Sequence, residues 1–565
     1  MRKFSTWISV LSWLGLALGK DVSKKQEHPY PEPRPEIPYD KRVFLPNAYS
    51  FIREDPEGAF REWLGLNGVD LSRVQFKHGE GRGTDPVGFS LFTSKRATPA
   101  DAVLSVPMHL ALSLEAAQLD PVYSEVLKLP VFNRQNVTTP ILTPGAPAST
   151  QGSVQVDLIS FVMYERAKGY KSFWAPYFAM LDKARVSTLL DWTEEELQEL
   201  QSLKSFPQVE DAKRKLQYIF HDLFKGLREH DTLSAEFSKP DYSEAAMLWA
   251  TQVVQTRAFG SPVGAALYPL ADLINHSPPN EAFHSYDSRE PVAMASFTQD
   301  DLGNMQMRPD FTVKAGKELF ITYAPTRTNM ELLFGYGFAI EHNPYEKANI
   351  EVQGLKENVD FTVSELSPVF MAFLRASVFA QKKKKLLTPK QSSSVWLLRS
   401  KFRRPLDGWN EINSLRNGLN LLEQMDSHWP TQTDADKSMF AECEADGVDA
   451  TGCDDKLHTA LIFRLTVKRI LWGQSVYMMN MLKDVTKIVD ETQKDNEAFL
   501  EEMQELEEEN ANVKAKKRAR ELQFLKQTIS EMGQEDQPLT EEEEGGGKGG
   551  GEGGDSNAAK PKQEL

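Results

Sequence analysis

The sequence predicts an α+β fold in which two regions of short strands flank a helical insertion, followed by an all-α C-terminal domain. Three observations lead there. Glycine-punctuated runs of β-branched and aromatic residues occur up to Val106 and again from Leu267 to Glu351. Between them, from Val156 on, apolar residues take three- and four-residue spacing, and helical spacing returns after Glu351 as far as about Met532. With 565 residues, 40% of them hydrophobic, the chain is long enough for two or three units with cores of their own.

Taken in order, residues 1–19 have a basic start (Arg2, Lys3), an apolar core from Trp7 to Leu18 and small residues at Ala17 and Gly19. That is the pattern of a secretory signal peptide, too short for a comfortable membrane span; an uncleaved anchor or an organelle transit peptide is the alternative. Residues 20–48 contain "EHPYPEPRPEIPYDKR" and read as a proline-rich extended linker. Residues 49–345 form the α+β domain: a helix over "FREWLGL", short strands with glycine turns, and a strand around Val103 to Val106. Its helical insertion occupies about 150–250, where Thr193 opens a helix with acids in its first turn and a further helix runs from Tyr242 to Thr256. Residues 346–532 are helical, and the acidic, Gly-rich tail at 533–565 has the composition of a disordered segment.

The formal net charge of −16 argues against a general nucleic-acid binder, which needs a basic surface to displace counterions from phosphates. It suits a cationic partner, although part of the acidity lies in the tail. The two cysteines, Cys443 and Cys453, flank a polar loop that could close a disulfide in an oxidising compartment; two free surface thiols are the alternative. Two cysteines cannot build a four-cysteine zinc site, so no metal is expected. Asn136 in "NVTT" is a glycosylation acceptor pattern, and so is Asn275-His276-Ser277. The C-terminal Lys562-Gln563-Glu564-Leu565 is similar to the Lys-Asp-Glu-Leu retrieval signal, which with a signal peptide points to the endoplasmic reticulum lumen or secretory pathway.

Two stretches carry the chemistry. "YPLADLINHSPPN" ends an apolar run in Asp272, then Asn275 and His276; "GKELFITYAPTRTNMELLFGYGF" gives a glycine turn, a strand ending at Tyr323, a helix from Asn329 and then Tyr336-Gly337-Phe338. Taken alone, Asn275 reads as a cap and His276 as a satisfied core histidine.

In their full order, "VLSVPMHLALS", "YERAKGYKSFWAPYFAML", "QTRAFG", "PLADLINHS" and "GKELFITYAPTRTNMELLFGYGF" make the chain resemble the SET-domain protein methyltransferases, in the branch of the Rubisco large-subunit lysine methyltransferase. The matches cover about Phe60 to Tyr345, and the helical region beyond is similar, more weakly, to that branch's substrate-binding domain. The resemblance implies S-adenosyl-L-methionine as cofactor, a pseudoknot holding it, and a protein substrate presenting a lysine. It places Asn275 and His276 at the cofactor with Gly88, Phe89, Arg257, Tyr336, Gly337 and Phe338. Tyr323 matches the catalytic tyrosine, and Phe259, Tyr336, Arg257 and Asp272 match the substrate channel.

The implied reaction is an in-line displacement at a sulfonium methyl, whose main demand is alignment, with nucleophile and carbon held about 3–3.5 Å apart. The attacking amine must be neutral, against a pKa of roughly 10.4 for a free lysine; an apolar channel with a cation at its far end supplies the shift. Histidine-directed relatives carry Asn where this chain has Phe259 and lack tyrosine at the Tyr336 position, so lysine is the expected target. The chain departs from the branch at Val87, where an acid is common, and at Ser90, which replaces a glycine and requires an extended backbone there. These departures favour one alternative, a SET scaffold that binds a partner without catalysis; a histidine-directed methyltransferase is the other.

Overall fold

The computed structural model describes residues 37–78, 88–129, 156–184, 186–201, 205–261, 264–280, 292–323, 325–352, 358–362, 365–382, 402–446 and 453–508, with residues 132, 355 and 523. The signal-like segment, the start of the linker, Val87, Asn136 and the tail lie outside the described residues. The chain divides into two compact units, one comprising Met1–Ala348, Phe361–Ser364 and Glu423–Gly473, the other Asn349–Asp360, Glu365–Leu422 and Gln474–Leu565.

The first unit starts where an extended linker was expected. From Ile37 that segment is docked: Ile37 and Leu45 are buried, Tyr39 Oη donates to Glu115 Oε2 at 3.0 Å, and Arg42 Nε donates to the His109 carbonyl at 2.9 Å. The Arg42 guanidinium also lies over the Trp174 and Phe173 rings, 4.6 and 4.9 Å from their centroids, a cation–π arrangement. The proline content hid these anchors. Helix α1 (Ala48–Glu54) follows, then α2 (Pro56–Leu66), whose start is fixed by Pro56 in its first turn and by Asp55 accepting from the Gly58 N–H. Its Ala59, Phe60, Trp63 and Leu64 form one buried face.

Strands β1 (Val74–His78) and β2 (Phe89–Thr93) pair antiparallel, with His78 opposite Phe89. β3 (Leu104–Val106) and β4 (Leu112–Ser113) come next, then short helices α3 (Leu114–Leu119) and α4 (Tyr123–Val126). The insertion contains α5 (Val156–Ala167), α6 (Ala175–Lys183), α7 (Glu194–Gln198), α8 (Ser205–Glu229), α9 (Ser234–Phe237) and α10 (Glu244–Arg257). Thr193 and Glu196 close a capping box on α7, satisfying two otherwise unpaired backbone donors. On α8, Val209, Ala212, Leu216, Ile219, Phe220, Leu223, Phe224 and Leu227 are buried at three- and four-residue steps, the signature of an amphipathic helix.

After α10 the chain returns to strands: β5 (Phe259–Ser261), β6 (Gly264–Leu267), β7 (Asn275–His276), β8 (Ala293–Gln299), β9 (Met305–Pro309) and β10 (Leu319–Ile321). Among the described residues the largest sheet has the order β3-β9-β8-β10-β7, and a second has the order β4-β6-β5. β10 runs parallel to both its neighbours, which puts Phe320 beside Asn275 and Ile321 beside His276. β2 joins the same edge through the Thr93 N–H to the Lys317 carbonyl (2.9 Å) and a bridge between Phe92 and Glu318. Helix α11 (Asn329–Tyr336) then begins on a capping box of Thr328 and Glu331.

The linear reading assigned everything after residue 345 to a separate helical domain, whereas residues Glu423–Gly473 belong to the first unit. They contain α14 (Thr433–Asp446) and the start of α15 (Asp455–Glu508). Asp436, fully buried, faces both Lys468 Nζ (2.6 Å) and Arg464 Nη2 (2.9 Å), while Lys456 Nζ lies 2.7 Å from Glu196 at the start of the insertion. Cys443 and Cys453 form a disulfide across the α14–α15 joint, with Cα atoms 5.5 Å apart.

Apart from strand residues 349–350 and 359–360, the described part of the second unit is helical, built on α12 (Pro368–Lys382), the first part of α13 (Gly408–Ser427) and the remainder of α15. Arg375 binds Glu411 through two parallel hydrogen bonds of 2.7 and 2.6 Å, and both side chains are buried. Gly418 is pressed against Leu374 and Met478 so closely that a Cβ there would lie 2.7 Å from each. Among the described residues no helix is long and apolar enough to cross a membrane.

Candidate active site

The site grows from the end of an apolar run. Tyr268 and Leu270 to Ile274 are buried, and at Leu270 the backbone takes φ 75°, ψ −42°, a strained turn of the kind stored at functional sites. The turn redirects the chain so that Asn275 and His276 emerge as β7, half-buried, along β10. The polar pair therefore stands at the rim of a core.

Four aromatic rings meet there. Tyr323 lies 5.1 Å from His276 and 5.0 Å from Tyr336, and Phe338 lies 5.8 Å from His276 and 6.1 Å from Tyr336, centroid to centroid. Tyr323 is fixed at two points. Its N–H donates to His276 Nδ1 at 3.0 Å and its hydroxyl donates to the Ile274 carbonyl at 2.6 Å. His276 is therefore an acceptor at Nδ1, and burial lowers its pKa to about 4, so it is neutral at pH 7. Burial also raises the Tyr336 phenol, which stays protonated.

Asn275 uses both protons of its amide nitrogen: Nδ2 donates to Ser90 Oγ and to Glu318 Oε1, each at 2.9 Å. Ser90 lies in extended β2, so the position does not need glycine's left-handed freedom. Gly88 immediately precedes β2 and Phe89, buried, opens it. A glycan on the Asn275 nitrogen would replace one of its two protons and so break at least one of these hydrogen bonds, which sets modification at this sequon against the folded arrangement.

Asp272, matched by the resemblance to the substrate channel, has a fully buried carboxylate that accepts from Tyr177 Oη at 2.7 Å and lies 3.6 Å from Arg257 Nη1. Arg257 Nη1 donates to the Asp272 carbonyl at 2.8 Å. Burial raises the Asp272 pKa while Arg257 opposes the rise. Asp272 Oδ1 and Arg257 Nε are buried without a hydrogen-bond partner among the described residues. Phe259, likewise matched to the channel, packs its ring edge-on against Phe297 at 5.2 Å and Tyr268 at 6.3 Å.

No protein-family model matches the chain. Over 323 residues it is 27% identical to the Rubisco large-subunit N-methyltransferase of Pisum sativum, covering 55% of this chain and 58% of that protein. It is 32% identical over 178 residues to the fructose-bisphosphate aldolase-lysine N-methyltransferase of Arabidopsis thaliana, covering 31% and 35%. It is 30% identical over 204 residues to SET domain-containing protein 4 of Homo sapiens, covering 33% and 42%. The matched region is thus less than two thirds of the length of these relatives. The structure of Rubisco LSMT bound to sinefungin and monomethyllysine superposes with a TM-score of 0.51 at 19% identity, over 77% of this chain and 93% of that one. The chain has the SET fold.

Within this SET fold, several supports of the site escaped the sequence reading. Gly337 was expected at the cofactor; its position is first a structural necessity. It ends α11 at φ 80°, and a Cβ there would lie 1.8 Å from the Ser187 carbonyl oxygen. Tyr336 and Phe338 are thereby held on either side of a backbone contact with the insertion. Gln255 of α10 donates to the Phe334 carbonyl at 2.6 Å, a second tie to α11. At the other end of α11, buried Glu346 accepts the Asn329 N–H at 2.7 Å, and Asn343 donates to the Arg327 carbonyl and Asn329 Oδ1. Tyr177 and Glu318 belonged to quoted motifs, but nothing in their spacing announced Asp272 or Asn275 as partners.

Proposed function

We propose that the chain is an S-adenosylmethionine-dependent protein-lysine N-methyltransferase. The observation that carries this reading is Tyr323: a hydroxyl whose proton is committed to the Ile274 carbonyl, inside the ring cluster of His276, Tyr336 and Phe338. Such a hydroxyl offers only lone pairs to an incoming group, and so accepts from an amine N–H or a polarised methyl C–H. The rings exclude water and favour a cation over their faces, which suits a sulfonium. Asn275, together with the partnerless Asp272 Oδ1 and Arg257 Nε, adds polar groups of the kind an amino-acid and nucleoside cofactor needs. These residues fit the group.

The bound cofactor would supply an electrophilic sulfonium methyl. The chain's part is alignment and desolvation. Tyr323 orients the attacking lysine by accepting its N–H, and the apolar walls around it lower the amine's pKa so that a lone pair is free. Neutral His276 and protonated Tyr336 place no anion in the cluster that would hold the amine as ammonium. The similar proteins, which include a lysine N-methyltransferase acting on fructose-bisphosphate aldolase, favour lysine over histidine, as do the residue types at Phe259 and Tyr336. Calorimetric titration of the full chain with S-adenosylmethionine, beside Asn275→Ala, tests the reading. Saturable binding weakened in the variant is expected; a folded wild-type protein that does not bind would leave the scaffold reading.

We also propose a secretory-pathway setting, supported by the Cys443–Cys453 disulfide, the signal-like segment and Lys562-Gln563-Glu564-Leu565. Protection of the protein from added protease in intact microsomes is the expected result; digestion without detergent would refute it.

A further inference from the structure

The Asn275 carboxamide is held by three pieces of chain that meet only in the fold. Its own strand β7 lies along β10; Glu318 immediately precedes β10 and bridges to β2; and Ser90 sits in β2, opposite Lys77 of β1. Both amide protons are used, one toward Ser90 Oγ and one toward Glu318 Oε1, each at 2.9 Å. A carboxylate can only accept, so the nitrogen must face Glu318 and the amide cannot turn over. The carbonyl oxygen Oδ1 accepts no hydrogen bond from the described residues and is left facing the other way. Without Ser90, Glu318 alone would hold the amide, free to swing about a single bond.

We propose that Ser90 and Glu318 are positioning residues that lock the Asn275 carboxamide with its carbonyl oxygen presented to the bound cofactor, as acceptor for an N–H donor of S-adenosylmethionine. The inference rests on the cofactor reading above. It also turns the Ser90 departure from a weakness into a compensation, since a hydroxyl on β2 supplies an anchor that glycine there cannot. Ser90 and Glu318 act on the cofactor through Asn275, so their effects must vanish when the amide is gone.

Titration calorimetry of the full chain with S-adenosylmethionine tests this as a cycle. Ser90→Ala and Glu318→Ala are each expected to weaken binding about tenfold, the scale of one lost hydrogen bond to a charged or preorganised group. Glu318→Gln keeps an acceptor and should stay within about threefold of wild type by the same reckoning. In an Asn275→Ala background, adding Ser90→Ala should change nothing further, because residues acting through one group are not additive. An equal loss from Ser90→Ala in both backgrounds would overturn the inference, as would wild-type affinity in both Ser90→Ala and Glu318→Ala. Failure of the wild-type chain itself to bind would overturn the cofactor reading, and this inference with it.

Discussion

Glu346 shows how a single buried carboxylate can set the pH behaviour of the site. Burial lifts its pKa from 4.5 to about 8, against the opposing pull of the Asn329 and Lys347 N–H groups. Between those values the folded protein holds a proton that the unfolded chain has released, so stability falls as pH rises from about 4.5 to 8. Glu346→Gln keeps an acceptor for Asn329 and removes the titration. Denaturant midpoints measured across that window should slope downward in wild type and flatten in the variant; parallel curves would refute the assignment. His276 acts at the other end, its lowered pKa removing stability as pH falls from about 6.5 toward 4. The residues assigned to the proposed chemistry could be named from the sequence because they stand in ordered local motifs: Tyr323, Tyr336, Asn275 and His276 are each read from a few neighbours. Their supports were not, because Tyr177 meets Asp272 across 95 positions and Ser90 meets Asn275 across 185.

Helix α11 carries the second aromatic and ends on the residue with the least freedom in the site. Gly337 combines a left-handed backbone with the close approach of Ser187. Gly337→Ala must strain one and displace the other, at a cost of about 3 kcal/mol from the combined conformational and overpacking terms. Urea unfolding should register that loss, and cofactor affinity should fall with it since Tyr336 and Phe338 flank the contact; an unchanged midpoint would contradict the packing. At this scale the sequence was most readable where caps and periodicity act locally, as at Thr193 and along α8. It misled at residues 37–48, where prolines signalled a free linker although Tyr39 and Arg42 bond to partners 76 and 67 positions away.

For the molecule as a whole, the return of Glu423–Gly473 to the first unit depends on charge buried in a low-dielectric interior. Asp436 is the one anion between Arg464 and Lys468 in that contact, with all three side chains at most 1% exposed. Removing it strips buried Lys468 of its paired anion and leaves Arg464 with Glu199 alone, so Asp436→Ala should cost about 3–5 kcal/mol, read as a drop in denaturant midpoint; a loss below about 1 kcal/mol would mean the cluster is solvated. No pattern within residues 346–532 foretold this return, because Arg464 and Lys456 answer to Glu199 and Glu196 some 260 positions earlier, in the insertion. The general class, short strands around a helical insertion, was legible from punctuation and period alone.

The most direct test of the central claim is methyl transfer itself. Wild-type protein and Tyr323→Phe are incubated with methyl-labelled S-adenosylmethionine and a protein extract, and labelled proteins are hydrolysed to amino acids. Label in methyllysine, reduced by about 10²-fold or more in Tyr323→Phe, is the predicted result. Label in methylhistidine, or equal methyllysine from both proteins, would contradict it.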